Sequence, residues 1–385
     1  MGKNLKQSKQ KGMDYRRMPI EIESPEELGY NTIRYNLAES SVRDLPFKEL
    51  DIDFSQLILA YTEHRGNAAL RSLIREESPA FSIDDVLVTT GAAMALFIVA
   101  TTLLDKQDHI IVIRPNYATN LETPRAIGCE MTVVDLDFDL NFDLDTEGVL
   151  SAIKPNTKLI SLTNPHNPTG KLFSQETIKR IIAIAEDKGC WILVDETYRD
   201  LNFQTPLLPY MATLSEKVIS VSSLSKAFGV PGIRIGWLIC RDKKLMHRLL
   251  AAKEQMILGN AVIDEAIAEH LLAQKASFLS PIHAHIAENY TILKTWMSEQ
   301  TFLEWVEPQA GVVCFPRLKS GLSFRNFNDF QKTLYHDYQT VVGYGHWFEQ
   351  PERYFRIGFG YPSKLDLIEG LNRLTLSLES HIYTH

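Results

Sequence analysis

Residues 222–237 read SSLSKAFGVPGIRIGW: one lysine inside a run of small hydroxyl residues, followed by three glycines and an arginine. An amine with such small polar neighbours is suited to condense with an aldehyde and form a Schiff base. Ser223, Ser225 and Arg234 can bind a phosphate, the arginine through its planar fork of N–H donors. Taken alone, the stretch reads first as a solvated lysine, Lys226, on a polar loop. Three further stretches carry matching chemistry. In DETYRD (195–200), Asp195 offers a counter-ion for a protonated ring nitrogen, and Tyr198 a hydroxyl for a phenolate-like oxygen. A structural ion pair with an arginine is the competing role for Asp195, since a buried carboxylate needs a partner. In NPHNPTG (164–170), Asn167 offers an amide donor, although two Asn-Pro pairs and a final glycine also make a simple turn. In TTGAAMAL (89–96), Gly91, Ala92 and Ala93 let backbone N–H groups approach a phosphate at a helix N-terminus. A tight turn into a core helix explains them as well.

The elements that must position these residues are legible from apolar runs. DVLVTT (85–90), HIIVIR (109–114), MTVVDL (131–136), KLISLT (158–163), WILVD (191–195), VISVS (218–222) and GWLIC (236–240) read as strands. Most are apolar throughout, as where helices cover both faces of a sheet. Helical patterns lie between several of them, such as SQETIKRIIAIAEDKG (174–189), with a serine cap and a glycine stop. This rhythm predicts an α/β domain with a mostly parallel sheet. Ligands of open α/β sheets bind beyond the carboxyl ends of the strands. All four chemical stretches begin at such ends, and together they point Lys226 at a carbonyl carried by a phosphorylated ring.

From about residue 280 the rhythm changes to a long amphipathic helix over roughly 282–299 and then WVEPQAGVVCFPRL, which reads as a hairpin. The expected organisation is a basic lead-in (1–29), a segment packing with the smaller domain (30–55), a large domain (56–280) and a smaller α+β domain (281–385). The lead-in reads as disordered or loosely docked, with no apolar stretch of a secretory signal.

Composition narrows the function classes. The chain has 385 residues, 45 % hydrophobic and 23 % charged, an ordinary balance for a soluble enzyme. A net charge of −8 argues against nucleic acid or an anionic membrane as partner. The four cysteines are widely spaced without a CxxC, the pattern of reduced cytoplasmic thiols. The 11 histidines show no HExxH, so no metal is expected. The uncharged run 86–104 approaches a bilayer span in length, but Thr89, Thr90 and Gly91 interrupt it, and it reads as strand, turn and buried helix.

The motif set resembles the class I/II aminotransferases that use pyridoxal 5'-phosphate on the fold type I architecture. The residues concerned are YTEHRGNAALR (61–71), TTGAAMAL, NPHNPTG, DETY, SLSKAFGVPGIRIG and YFRIGFG (354–360), in family order over roughly residues 30–375. The resemblance implies that Lys226 binds the cofactor aldehyde and later moves the proton at the substrate Cα. Asp195 would keep the pyridine nitrogen protonated. Tyr198 and Asn167 would bond the ring oxygen, and Tyr117 would stack on the ring. Gly91, Ala92, Ala93, Ser223, Ser225 and Arg234 would form the phosphate cup, with Tyr61 arriving from the other subunit of a homodimer. Arg356 would clamp the substrate α-carboxylate.

Two departures stand out. Ala92 and Ala93 occupy positions where the family often has polar side chains, which shifts phosphate binding towards the backbone. YNLAESS (35–41) has Ala38 and Glu39 where many relatives have a glycine before a glutamate. Glu39, if it faces the substrate, favours an amino acid with a cationic or donor side chain; otherwise it faces solvent or caps a helix. The expected reaction is amino transfer between an L-amino acid and a 2-oxo acid, in the cytoplasm. Another enzyme with the same cofactor, such as a lyase, an oxidase or a cyclase like capreomycidine synthase, is the alternative. A non-catalytic sensor would carry an N-terminal DNA-binding domain, for which some thirty residues are too few.

Overall fold

A short strand near the N-terminus, β1 (Tyr35–Leu37), stands apart from the central sheet of the computed structural model, which describes residues 12–204 and 207–384. The central sheet has seven strands: β2 (Val86–Thr90), β3 (His109–Arg114), β4 (Glu130–Asp135), β5 (Thr157–Thr163), β6 (Trp191–Asp195), β7 (Val218–Ser223) and β8 (Ile235–Ile239). Their spatial order is β2-β8-β7-β6-β5-β3-β4, and β8 alone runs antiparallel to its neighbours β2 and β7. Successive side chains of a strand face opposite sides. Ile111, Ile160 and Ile192 therefore join one core, which includes Ile178, Ile181 and Ile182 of the helix Gln175–Lys188. Ile110, Leu159 and Leu193 join a second core with Leu96, Ile98 and Val99 of the helix Gly91–Leu103. Both faces are covered, which is why these strands are apolar throughout. The uncharged run 86–104 is indeed strand followed by buried helix, and no helix among the described residues is long and apolar enough to cross a membrane.

The second sheet has four strands. β1 runs parallel to Thr340–Tyr344, with Tyr35 opposite Thr340 and Leu37 opposite Val342. Phe355–Gly358 lies antiparallel to Thr340–Tyr344 and carries Arg356; Val313–Cys314 closes the far edge. The expected hairpin in WVEPQAGVVCFPRL is therefore not one. Val313–Cys314 pairs with Phe355–Gly358, whereas Arg317–Leu318 pairs with Leu303–Glu304. Pro316 between the two short strands has no N–H to continue a ladder. The long helix runs from Lys275 to Ser298, starting earlier than its pattern indicated and carrying Pro281 inside it.

Of the expected N-terminal lead-in, residues 1–11 lie outside the described residues. Further on, the chain forms two helical turns, Ile20–Glu23 and Pro25–Leu28, that dock rather than trail. The Glu23 carboxylate accepts a hydrogen bond from Trp347 Nε1 at 2.7 Å and lies 2.7 Å from His346 Nε2. Ser24 and Pro25 are buried beneath them.

β1 is only three residues long, so it depends on packing more than on its ladder. Leu37 is fully buried between the sheet and the helix Lys364–His381. Leu37→Ala is expected to lower stability by about 2–5 kcal/mol, the range for emptying such a site, measured by urea unfolding. A change under about 0.5 kcal/mol, the usual size for surface substitutions, would show that β1 is not docked as described.

Candidate active site

The carboxyl ends of β2, β5, β6 and β7 lie along one edge of the central sheet and open onto a cavity of about 360 Å³. Its walls include Ala92, Ala93, Tyr117, Asn167, Asp195, Tyr198, Ser223, Ser225, Lys226 and Arg234. From the second sheet and the loop after β1 come Arg356, Ala38 and Glu39. The residues singled out in the sequence thus converge, with two exceptions. Gly91 lies just behind the lining, and Tyr61 is 90 % exposed and away from the cavity within one chain.

Asp195 ends β6 and is almost wholly buried. Its Oδ1 accepts the Thr197 N–H at 3.1 Å and the Thr197 hydroxyl at 2.5 Å. Among the described residues, its Oδ2 accepts no hydrogen bond. Burial pushes the carboxyl above the usual aspartate range, and the Thr197 bonds recover only part of that. No arginine pairs with it among the described residues, which removes the structural ion-pair explanation. A cation seated against Oδ2 would restore the charged form.

Lys226 follows β7 in a turn whose backbone is anchored by Val42, the Val42 N–H bonding the Lys226 carbonyl at 3.2 Å. Its Nζ lies 3.4 Å from Glu39 Oε1. Burial presses the ammonium towards deprotonation, but the Glu39 charge, with Tyr198, more than offsets this and holds its pKa above the usual lysine value. Glu39 is subject to the opposite balance: burial disfavours its charge, yet Lys226 and Arg356 outweigh that and hold it ionised. The lysine with a depressed pKa is elsewhere. Lys253, pulled down to about 8 by burial, donates to the His64 carbonyl at 2.5 Å and does not line the cavity. Lys226 is the lysine among the described residues that lines the cavity.

The phosphate-binding candidates gather as expected. Arg234 Nη1 donates to Ser225 Oγ at 3.3 Å and to the Pro231 carbonyl at 2.7 Å. Gly91 has φ +75° and opens the helix Gly91–Leu103 directly against the Arg234 guanidinium, where a side chain would collide. Only glycine meets both demands. Helix N–H groups and one arginine there form a site for an anion.

Arg356 is 4 % exposed, and no carboxylate bonds it among the described residues. Nη1 donates to Asn167 Oδ1 at 3.2 Å, Nη2 donates to the Ala38 carbonyl at 2.7 Å, and Nε is buried without a partner. A buried guanidinium held only by neutral acceptors is poised for an anionic ligand. Ala38 and Glu39 reach this point because the loop after β1 crosses over Gly358, where any side chain would overlap the Glu39 carbonyl oxygen.

Several positioning residues carried no strong signal in the sequence. Asn116 is fully buried, and its Oδ1 accepts from the Tyr117 N–H at 2.7 Å, Asn120 Nδ2 at 3.0 Å and Thr163 Oγ1 at 3.0 Å. It fixes Tyr117 at the cavity wall. Thr197, two residues after Asp195, forms the local turn that aspartates favour, which could have been read from the sequence. Glu196, pushed up to about 8 by burial, accepts the Met211 N–H at 3.0 Å and is structural. Ile20, Glu21, Ser24, Pro25 and Glu26 from the docked N-terminal turns, with Trp347, complete the lining.

Comparison with known proteins identifies the family. The profile of the family "Aminotransferase class I and II" matches residues 28–370. The aspartate aminotransferase of Pyrococcus horikoshii is 27 % identical over 332 residues, 83 % of each chain. Capreomycidine synthase of Streptomyces vinaceus is 23 % identical over 362 residues, 91 % of this chain and 92 % of that one. A solved PLP-dependent aminotransferase from Streptococcus suis 89-1591 superposes with a TM-score of 0.85 at 26 % identity, over 92 % of this chain and 95 % of its own. The cavity residues fit pyridoxal phosphate: its walls bring together an amine, an arginine with two serine hydroxyls, and a carboxylate oxygen that accepts no hydrogen bond among the described residues. With the profile covering most of its length, this chain belongs to the class I and II aminotransferases and is a pyridoxal-phosphate-dependent transaminase.

Proposed function

We propose that Lys226 is the amine that holds the cofactor and moves the proton in transfer of an amino group between an L-amino acid and a 2-oxo acid. The observation that carries this is unused hydrogen-bonding capacity around one cavity: among the described residues, neither Asp195 Oδ2 nor Arg356 Nε has a hydrogen-bond partner. Pyridoxal phosphate supplies an aldehyde and an electron-withdrawing ring over which charge at the substrate Cα can spread. Asp195 keeps the ring nitrogen protonated, and the bound cation in turn stabilises its buried carboxylate. Tyr198 and Asn167 would bond the ring oxygen, and Tyr117 would pack on the ring. Ser223, Ser225, Arg234 and the N–H groups of Gly91 to Ala93 bind phosphate, the alanines contributing backbone alone. Arg356 would grip the α-carboxylate and so orient the substrate Cα relative to Lys226 Nζ.

The same proposal divides the labour between a larger unit, 56–280, carrying the cofactor residues, and a smaller one, 30–55 with 281–385, carrying Arg356 and Glu39. It also makes the working form a homodimer. Tyr61, with Ile58 and Leu59 beside it, projects from the surface in an exposed apolar segment that a second copy would cover. Cytoplasmic location is part of this reading, supported by four free cysteines.

Three outcomes are expected. Lys226→Ala abolishes turnover and any borohydride-reducible link between protein and cofactor; a variant that keeps either contradicts the assignment. Asp195→Asn reduces kcat by at least about 100-fold, the equivalent of roughly 3 kcal/mol for a key electrostatic group, with the thermal midpoint little changed. A near-normal rate would make Asp195 structural. Light scattering reports a dimer, and a monomer active at nanomolar concentration would remove Tyr61 from the site.

A further inference from the structure

We propose that the amino acid accepted here carries a second positive charge, a guanidinium or ammonium at the end of its side chain, bound by Glu39 with Glu26 and Glu21. The inference rests on the transaminase reading above and names its substrate class. Charge accounting at the cavity leads to it. The lining cations are Lys226, Arg234 and Arg356, and each already has a partner in that reading: the aldehyde, the phosphate and the α-carboxylate. Asp195 has the ring nitrogen. Among the described residues, Glu21, Glu26 and Glu39 then have no cation of their own; Glu21, which accepts the Met18 N–H at 2.8 Å, and Glu26 are exposed at the cavity rim, and Glu39 is enclosed.

Glu39 is the decisive member. Its side chain is 13 % exposed, and its only cationic contact is Lys226 at 3.4 Å through Oε1, which also accepts the Ser40 N–H at 3.0 Å. Among the described residues, Oε2 accepts no hydrogen bond. Once the Lys226 amine is engaged with the cofactor and Arg356, which also supports the Glu39 charge, with the α-carboxylate, this mostly buried carboxylate is left under-compensated, which is unfavourable. A guanidinium or ammonium from the substrate makes up the difference. A dicarboxylate does the reverse, since its distal carboxylate would meet the enclosed Glu39 and the exposed Glu21 and Glu26 with no lining cation left over among the described residues. Ile20 and Trp347, tied together through Glu23, give the methylene stem of a long cationic side chain an apolar wall.

The test uses the holoenzyme and two non-reacting ligands of nearly equal shape: 5-guanidinopentanoate, which is arginine without its amino group, and its neutral ureido counterpart. By calorimetry the guanidino ligand is expected to bind at least ten-fold tighter. Glu39→Gln collapses that ratio towards one, and Glu26→Gln, at an exposed position, lowers it partway if Glu39→Gln does not fold. Half-reactions followed by cofactor absorbance are expected to rank L-arginine and L-lysine above L-citrulline, L-alanine and L-aspartate. Equal binding of the two ligands, or faster conversion by aspartate or alanine, overturns the proposal while leaving the transaminase reading intact. If no L-amino acid converts the cofactor, that reading fails, and the ligand pair still decides the charge preference.

Discussion

The ion pair between Lys226 and Glu39 joins the two halves of the site. Lys226 comes from the turn after β7 of the central sheet, and Glu39 from the loop after β1 of the second sheet. In water such a pair would be worth little. Here both partners are mostly shielded, so removing either leaves a charge in an unfavourable place. The surrounding backbone is arranged to keep them together. Val42 hydrogen-bonds the lysine carbonyl, and Gly358 lets the loop pass close enough for Ala38 to accept from Arg356. The site therefore depends on how the second sheet is seated.

Burying this much polar chemistry is costly, and the architecture offsets it locally. Each fully buried aliphatic side chain contributes about 1.5–3 kcal/mol, and the strands ending at the cavity are lined on both faces by such residues. The polar residues sit at the strand ends, where the ladder stops and backbone N–H groups become free for a ligand. Among the described residues, Asp195 and Arg356 are left short of hydrogen-bond partners, and a ligand that supplies those partners adds to the stability of the fold.

Much of this was readable in advance. The seven long strands announced themselves as apolar runs, and the chemical residues lay at their ends, where a parallel sheet binds its ligand. Ser174 and Gly189 marked the ends of one helix by their capping chemistry, and both cap it. The second sheet was opaque for a physical reason. β1 has three residues and Val313–Cys314 two, too few for periodicity to register, and β1 pairs with a strand some three hundred residues away. The direction of Glu39 followed from that hidden pairing, not from its neighbours in sequence. The docked turns Ile20–Glu23 and Pro25–Leu28 were equally hidden, because two four-residue, glutamate-rich turns are too short for periodicity to register and give no sign that Glu23 will meet Trp347.

The central claim is that Lys226, rather than a lysine with a lower pKa, carries the cofactor. The direct measurement is mass-spectrometric peptide mapping of the holoenzyme after borohydride reduction. The account predicts the pyridoxyl mass on the peptide containing Lys226 and on no other. The mass on a Lys253 peptide, or no labelled peptide from a holoenzyme with bound cofactor, would contradict it.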